Sequence, residues 1–319
     1  MIDRLGRKIE YARISVTDSC NLKCLYCSPG DSKCEQKCDD YLTPEEFEII
    51  VRSLVNAGMS KVRITGGEPL VRRDICEIAE RISKIQGIDD ISMTTNGINL
   101  GKMIDSLKKA GLKRLNISLD SLQPDRFNYI TGGGNIQNTL EGIEKAMELG
   151  MNPVKINTVL IKGVNDDEID DFIELTRDRE LEVRFIELMP IGKFGEQNSD
   201  RIVKNSDIIR DRPGLIYCGE STKGVTASYY RIEGYIGKVG FISPVSHKFC
   251  SSCNRIRVTC DGKLRPCLGN NGEVDITDVL RNQPEKLDDF IKKIIYEKPE
   301  GHNFESSFSS SRNMNRIGG

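Results

Sequence analysis

Histidine is almost absent from this 319-residue chain, with His247 and His302 the only two, and long apolar runs are missing. No stretch approaches the roughly 18 apolar residues that a membrane-spanning helix needs, so no transmembrane segment is expected. The first eight residues, Met1-Ile2-Asp3-Arg4-Leu5-Gly6-Arg7-Lys8, carry no hydrophobic run, and no signal peptide is expected. Strong charge of one sign is missing too: 46 Lys and Arg against 48 Asp and Glu leave a formal net charge of −2. That balance argues against a general nucleic-acid-binding surface and against an electrostatic membrane anchor. Any anionic ligand must be held by a local cluster of Arg and Lys. Hydrophobic residues at 38% are ordinary for a globular protein, and the length admits one large domain plus a smaller one.

Cysteine, by contrast, is plentiful, at eleven residues. Disulfides would be the reading in a small secreted domain. In a large chain without an export signal, clustered cysteines in a reducing, cytoplasmic setting point to metal. Cys20, Cys24 and Cys27 follow a C-x3-C-x2-C spacing, which puts three thiolates in one short loop. Such soft ligands select zinc or iron–sulfur centres. A four-iron cubane on three cysteines keeps one iron without a protein ligand, an open position for a substrate or cofactor.

Cys250, Cys253 and Cys267 form a second group, C-x2-C-x13-C, whose choice between zinc and iron–sulfur rests on a fourth ligand. Cys260 is available for that role. If residues 254–260 are a strand, however, Cys253, Arg255 and Arg257 share one face, while Cys260 lies on the other with Ile256 and Val258. The alternation makes Cys260 a buried apolar thiol and leaves the second site with three ligands and an open iron. Arg255 and Arg257 beside it are planar donors suited to phosphate or a purine edge.

The rest of the chain reads as strands alternating with helices. Residues 11–17 alternate polar and apolar and lead into the first cysteine loop. Thr43-Pro44-Glu45-Glu46 is a capping box, followed by Phe47, Ile50, Val51, Leu54 and Val55 at helical spacing and Gly58 as a stop. Further strands are expected at Val62–Thr65, Ile91–Thr94, Leu115–Leu119, Val154–Leu160 and Val183–Leu188. Helices are expected near 72–85, 100–110, 136–149 and 166–178. Six such units imply parallel βαβ connections, in a doubly wound sheet or a barrel. Polar residues two apart on successive strands favour the barrel: Arg13, Ser15 and Thr17; Arg63 and Thr65; Ser92 and Thr94; Asn116 and Ser118; Lys155 and Asn157. A sheet covered by helices on both faces would be apolar on both, whereas a shared polar face suits an open, wet lumen. Thr65-Gly66-Gly67-Glu68-Pro69 ends the second strand, and its two glycines allow close backbone approach and amides free to bind a ligand. After Pro190 the repeat stops, with a boundary between 190 and 215, and a last amphipathic helix uses Leu287, Phe290, Ile291, Ile294 and Ile295. The tail from Ser306 is unstructured on composition.

The cysteine loop followed one βα unit later by Gly66-Gly67-Glu68 resembles the radical S-adenosylmethionine (SAM) superfamily. Within it, residues 13–20, 61–70 and 249–268 and the terminal Gly318-Gly319 are similar to the GTP 3′,8-cyclase family, which acts first in molybdopterin synthesis. The resemblance implies an incomplete six-unit (βα) barrel over residues 1–200, with a smaller C-terminal domain, 201–319, closing its open side. It implies one 4Fe–4S cluster on Cys20, Cys24 and Cys27 with SAM on its free iron, and a second on Cys250, Cys253 and Cys267 whose free iron meets the guanine of GTP. SAM contacts map onto Tyr26, Gly67, Ser118 and Met189. GTP contacts map onto Arg13, Lys61, Arg63, Thr94, Lys155, Arg255, Ile256 and Arg257. Gly318 and Gly319 are expected to enter the active site with Arg13, Arg255 and Arg257. An external electron donor such as flavodoxin or ferredoxin is implied, a homodimer is compatible with the family, and neither histidine has an acid–base role. The loop from Ser28 to Cys38 and Ser19 depart from the family pattern, and Cys34 and Cys38 read as surface thiols. Two rivals stay open at this stage: a peptide-modifying radical SAM enzyme with an auxiliary cluster, and a zinc-stabilised binding module without redox chemistry.

Overall fold

The computed structural model describes residues 1–27, 41–219, 224, 226–302, 304 and 312–318. Cys34, Cys38 and Gly319 lie outside them. Six parallel strands pair in chain order: β1 (Tyr11–Ser15), β2 (Lys61–Thr65), β3 (Asp90–Thr95), β4 (Arg114–Ser118), β5 (Val154–Leu160) and β6 (Leu181–Glu187). The connecting helices are α1 (Pro44–Asn56), α2 (Ile75–Ser83), α3 (Leu100–Lys109), α4 (Pro124–Thr131), α5 (Ile136–Glu148) and α6 (Ile169–Glu174). α1 starts where the capping box predicts: the Thr43 hydroxyl accepts from the Glu46 amide at 3.2 Å and the Glu46 carboxylate accepts from the Thr43 amide at 2.9 Å. It buries Phe47, Ile50, Val51 and Leu54 against the sheet.

Among the described residues β1 and β6 do not pair, so the barrel stays open. The chain beyond it supplies α7 (Gly192–Gln197), α8 (Asn205–Arg210), β7 (Ile216–Tyr217), β8 (Ala227–Arg231), β9 (Lys238–Ile242), β10 (Arg255–Val258), β11 (Lys263–Arg265) and β12 (Val274–Asp275). It ends with α9 (Thr277–Asn282), α10 (Leu287–Tyr296) and α11 (Met314–Ile317). β9 adds in parallel to β6, and β10 adds in parallel to β1. One continuous sheet of twelve strands results, in the order β12-β11-β10-β1-β2-β3-β4-β5-β6-β9-β8-β7. The C-terminal third thus extends both free edges of the open barrel.

Composition misjudges the tail over residues 312–318. Ile317 is fully buried, the Asn315 amide donates to the Asp18 carbonyl at 3.0 Å, and Arg312 pairs with Asp261 at 3.0 Å and Glu273 at 2.8 Å. These long-range partners are invisible to a compositional reading. Among the described residues no helix is long and apolar enough to cross a membrane.

Candidate active site between two cysteine triads

The strand register stacks like charges. Arg13 on β1 lies opposite Arg257 on one side and Arg63 on the other, and Tyr11 two residues earlier lies between Arg255 and Lys61. The same period of two places Asn157 on β5 between Ser118 and Arg184. Adjacent guanidiniums repel, and burial sharpens the repulsion. The Arg13 cation is disfavoured first by burial, then by Arg257 and Arg63, which hold its pKa well below the usual value. Burial, then Arg255, brings Arg257 down to about 10. The acceptors that meet these groups are neutral. Arg63 donates to the Ser92 hydroxyl, Arg184 to the Asn116 carbonyl oxygen, Arg255 to the Gly224 carbonyl and Arg257 to the Gly318 carbonyl. The Arg63 and Arg255 guanidiniums also lie 5.4 and 5.7 Å from the centre of the Tyr11 ring. A row of buried and half-buried cations, offset by neutral oxygens and the Tyr11 ring face, is built to receive an anion.

The row faces a cavity of about 600 Å³, and both cysteine triads line it. Cys20, Cys24 and Cys27 line it, as do Gly66, Gly67, Tyr26, Ser118 and Met189. Cys250, Cys253 and Cys267 also line it, as do Arg255, Arg257, Phe249 and Lys298. Lys61, Arg63, Thr94, Lys155 and Asn157 lie along the wall. Thr94 Oγ1 and Asn157 Oδ1 are buried there without a hydrogen-bond partner, which marks the wall as shaped for a polar ligand. Within each triad the thiols sense one another. Burial, then the Cys20 charge, pushes Cys27 up to about 12, and burial, then Asp120 and Cys27, drives Cys24 upward as well. Among the described residues no three His, Cys, Asp or Glu side chains converge as one bound ion requires. In a cubane each thiolate binds a different iron, and the three cysteines of each triad line the same cavity, as cluster ligands would.

The expectation of free glycine amides is corrected here. The Gly67 amide is not free for a ligand: it donates to the Thr17 carbonyl at 2.7 Å, and the Glu68 amide donates to the Ser19 carbonyl at 2.8 Å. The glycines instead let the cysteine loop cross the end of β2, since a Cβ on Gly67 would stand 2.3 Å from the Ser19 oxygen. Ile256 packs in the apolar core on the back of β10 and does not line the cavity, so only its backbone is available to a ligand. Cys260 is buried and lies outside the cavity lining, with Asp18, Asp261 and Arg72 acting on its thiol. Gly318 does reach the site, through its carbonyl on Arg257. Its φ of +70° requires glycine, and so does Thr65, whose methyl group would lie 2.9 Å from any Cβ at this position.

Comparison with known proteins follows this geometry. The model of the radical SAM superfamily matches residues 14–176 and that of Molybdenum Cofactor Synthesis C matches residues 181–304. The GTP 3′,8-cyclase of Alkaliphilus oremlandii is 50% identical, with all of both chains covered. The chain belongs to the GTP 3′,8-cyclase family. Members from Alkaliphilus metalliredigens and Peptoclostridium acidaminophilum are 49% and 45% identical over 100% of this chain, and over 100% and 98% of their own. The crystal structure of Streptococcus suis SuiB bound to S-adenosylmethionine has a TM-score of 0.58, covers 93% of this chain and 73% of its own, and at 16% identity shows the fold alone.

In this member of the cyclase family the structure adds residues that the sequence did not single out. Arg184 lines the cavity from β6. Glu182 pairs with Lys155, and the Tyr229 hydroxyl donates to Glu182 at 2.6 Å while accepting from Lys155 at 3.3 Å. Burial depresses Lys155 to about 8 despite Glu182. Asp120 accepts from the Tyr26 hydroxyl at 2.6 Å and from the Val159 amide at 2.8 Å, fixing the aromatic ring of the cysteine loop. Glu182 and Arg184 continue the two-residue polar period onto the sixth strand, and that signal was readable.

Proposed function

We propose that this chain converts GTP to (8S)-3′,8-cyclo-7,8-dihydroguanosine 5′-triphosphate, the first step of molybdenum cofactor biosynthesis. The observation that carries the reading is the pair of cysteine triads lining one cavity together with the neighbouring Arg257, Arg13 and Arg63. When bound, a 4Fe–4S cluster with SAM supplies a 5′-deoxyadenosyl radical. Cys20, Cys24 and Cys27 would hold that cluster, with Tyr26, Gly67, Ser118 and Met189 against SAM. Cys250, Cys253 and Cys267 would hold the second.

The chain's own residues act by placement. Arg13, Lys61, Arg63, Thr94, Lys155, Arg255 and Arg257 hold the triphosphate and ribose, Ile256 offers backbone, and Arg184 adds one further cation. The ring faces of Tyr11 and Phe249 help fix the guanidinium of Arg255, which lies 5.7 and 6.0 Å from their centres. The cavity then excludes water while C3′ of the ribose and C8 of guanine are held at reacting distance. Gly318, whose carbonyl accepts from Arg257, and Gly319 are assigned to the active site by this proposal. Reducing equivalents come from an external one-electron donor of the flavodoxin or ferredoxin class. We keep a division into residues 1–200 and 201–319 and a homodimer as parts of this proposal.

The test is formation of 5′-deoxyadenosine by anaerobically reconstituted protein with SAM and reductant, with and without GTP. Dependence on GTP together with the cyclised nucleotide supports the proposal. Turnover without GTP, or on a peptide instead, refutes it.

A further inference from the structure

Lys298 is among the largest fully buried side chains, 1% exposed, and it lines the cavity beside the second cysteine triad. It follows the end of α10, where its amide donates to the Ile295 carbonyl at 3.2 Å. Arg7, paired with Asp3 at 2.7 Å, donates to the Lys298 carbonyl at 3.2 Å and to the Cys250 carbonyl at 3.1 Å, which ties this segment to the cysteine loop. The ammonium donates to the carbonyl of Pro266, the residue before Cys267. Among the described residues no carboxylate pairs with it. A buried charge facing only a neutral oxygen carries a large desolvation cost unless an anion stands nearby. The groups that stand nearby are the cysteines: Lys298 lines the cavity together with Cys250, Cys253 and Cys267. The first triad has acids as neighbours instead: Glu68 lines the cavity with it, and Asp120 accepts from the Tyr26 hydroxyl of its loop.

We infer that Lys298 is the counter-cation of the second cluster, a positioning residue that raises that cluster's reduction potential relative to the first. This rests on the reading of Cys250, Cys253 and Cys267 as cluster ligands. Hydrogen bonding to Pro266 alone needs a donor and no charge. A net-negative cluster on three thiolates supplies the missing anion, and a nearby cation favours its more negative, reduced form.

The experiment is an EPR-monitored redox titration of reconstituted wild type, Cys267→Ala, Lys298→Met and Lys298→Arg, with iron and sulfide determined in each. Cys267→Ala identifies the second cluster's signal. If the wild type has none, it is the ligand reading that fails. Given that signal, Lys298→Met shifts its midpoint to more negative potential, Lys298→Arg restores it, and the first cluster's midpoint stays in place in both, which also reports correct folding. If Lys298→Met cannot retain the second cluster, retention by Lys298→Arg supports the inference and loss from both overturns it. An unmoved midpoint in Lys298→Met, or an equal shift in both variants, overturns it. So does a raised KM for GTP with the potential unchanged, because the ammonium would then serve the nucleotide.

Discussion

Replacing Glu182 by Gln pits two electrostatic effects against each other at the triphosphate wall. Glu182 is an acid in a site built for an anion, so its removal lessens repulsion and favours binding. It is also the partner of Lys155, whose charged form burial already disfavours, down to about 8. An opposite charge in contact raises a lysine by ~1–3 pKa units, so losing it would put Lys155 near ~6. At a pH of about 7.5 the cationic fraction then falls from about three quarters to about 3%, roughly a 25-fold loss of the binding-competent form at ~1.4 kcal/mol per pKa unit. With Lys155 binding phosphate as the cation, as proposed, affinity is lost as pH rises through its pKa, near 8 in wild type and near ~6 in the variant. The KM curves for GTP should therefore cross. Glu182→Gln is weaker by about 10–30-fold near pH 7.5 and equal to or tighter than wild type near pH 6. Initial rates against GTP concentration at a series of pH values give both curves, and the nucleotide's own protonation cancels in the ratio. A variant that binds tighter at every pH would mean that Glu182 acts only as a repelling charge. A variant with parallel curves would mean that Lys155 does not titrate in this range.

Other outcomes follow from single contacts. Gly67→Ala puts a methyl group 2.3 Å from the Ser19 oxygen and 2.7 Å from the Asp18 oxygen, so it should displace the cysteine loop and reduce iron bound at the first triad while the second is retained. Iron analysis of Gly67→Ala in a Cys267→Ala background isolates that loss. Arg257→Met removes a cation from the row and its bond to Gly318, and should raise the KM for GTP by ~10–100-fold, the ~1.5–3 kcal/mol of a charge-assisted hydrogen bond. Gly318→Val meets both a positive φ and Thr65, so cyclisation should fall sharply, while global stability, read by thermal unfolding, falls by only about 1–3 kcal/mol. Cys267→Ala should keep SAM binding and the first cluster but lose the cyclised nucleotide.

The six-strand repeat is readable because each strand and helix carries its own period, and the polar alternation on β1 to β5 marks the inner face without reference to any contact. α4 is hidden because eight residues ahead of Gly132-Gly133-Gly134 look like loop, although Pro124 at its first turn is a usable start signal. The strands beyond Pro190 are harder to place than to find, since the strand-like residues 239–243 and the alternation over 254–260 already mark two of them. β10 is stabilised by β1, and β9 by β6, so their pairing information lies far away in the chain. Arg13 and Arg257 can each be read as a candidate anion contact, but only the register reveals that they are neighbours. Lys298 is invisible because a lone lysine after an amphipathic helix reads as a solvated cap, and only burial distinguishes it.

Laying β10 against β1 has a consequence for biogenesis. Tyr11 waits for Arg255, and at about 5–20 residues per second that interval lasts roughly 10–50 s on the ribosome. Throughout it the nascent half-barrel presents two raw edges, which invite pairing with other chains. The C-terminal strands cover β1 and β6, so iron loading at the second triad must wait until Cys267 is made, 240 residues after Cys27 completes the first.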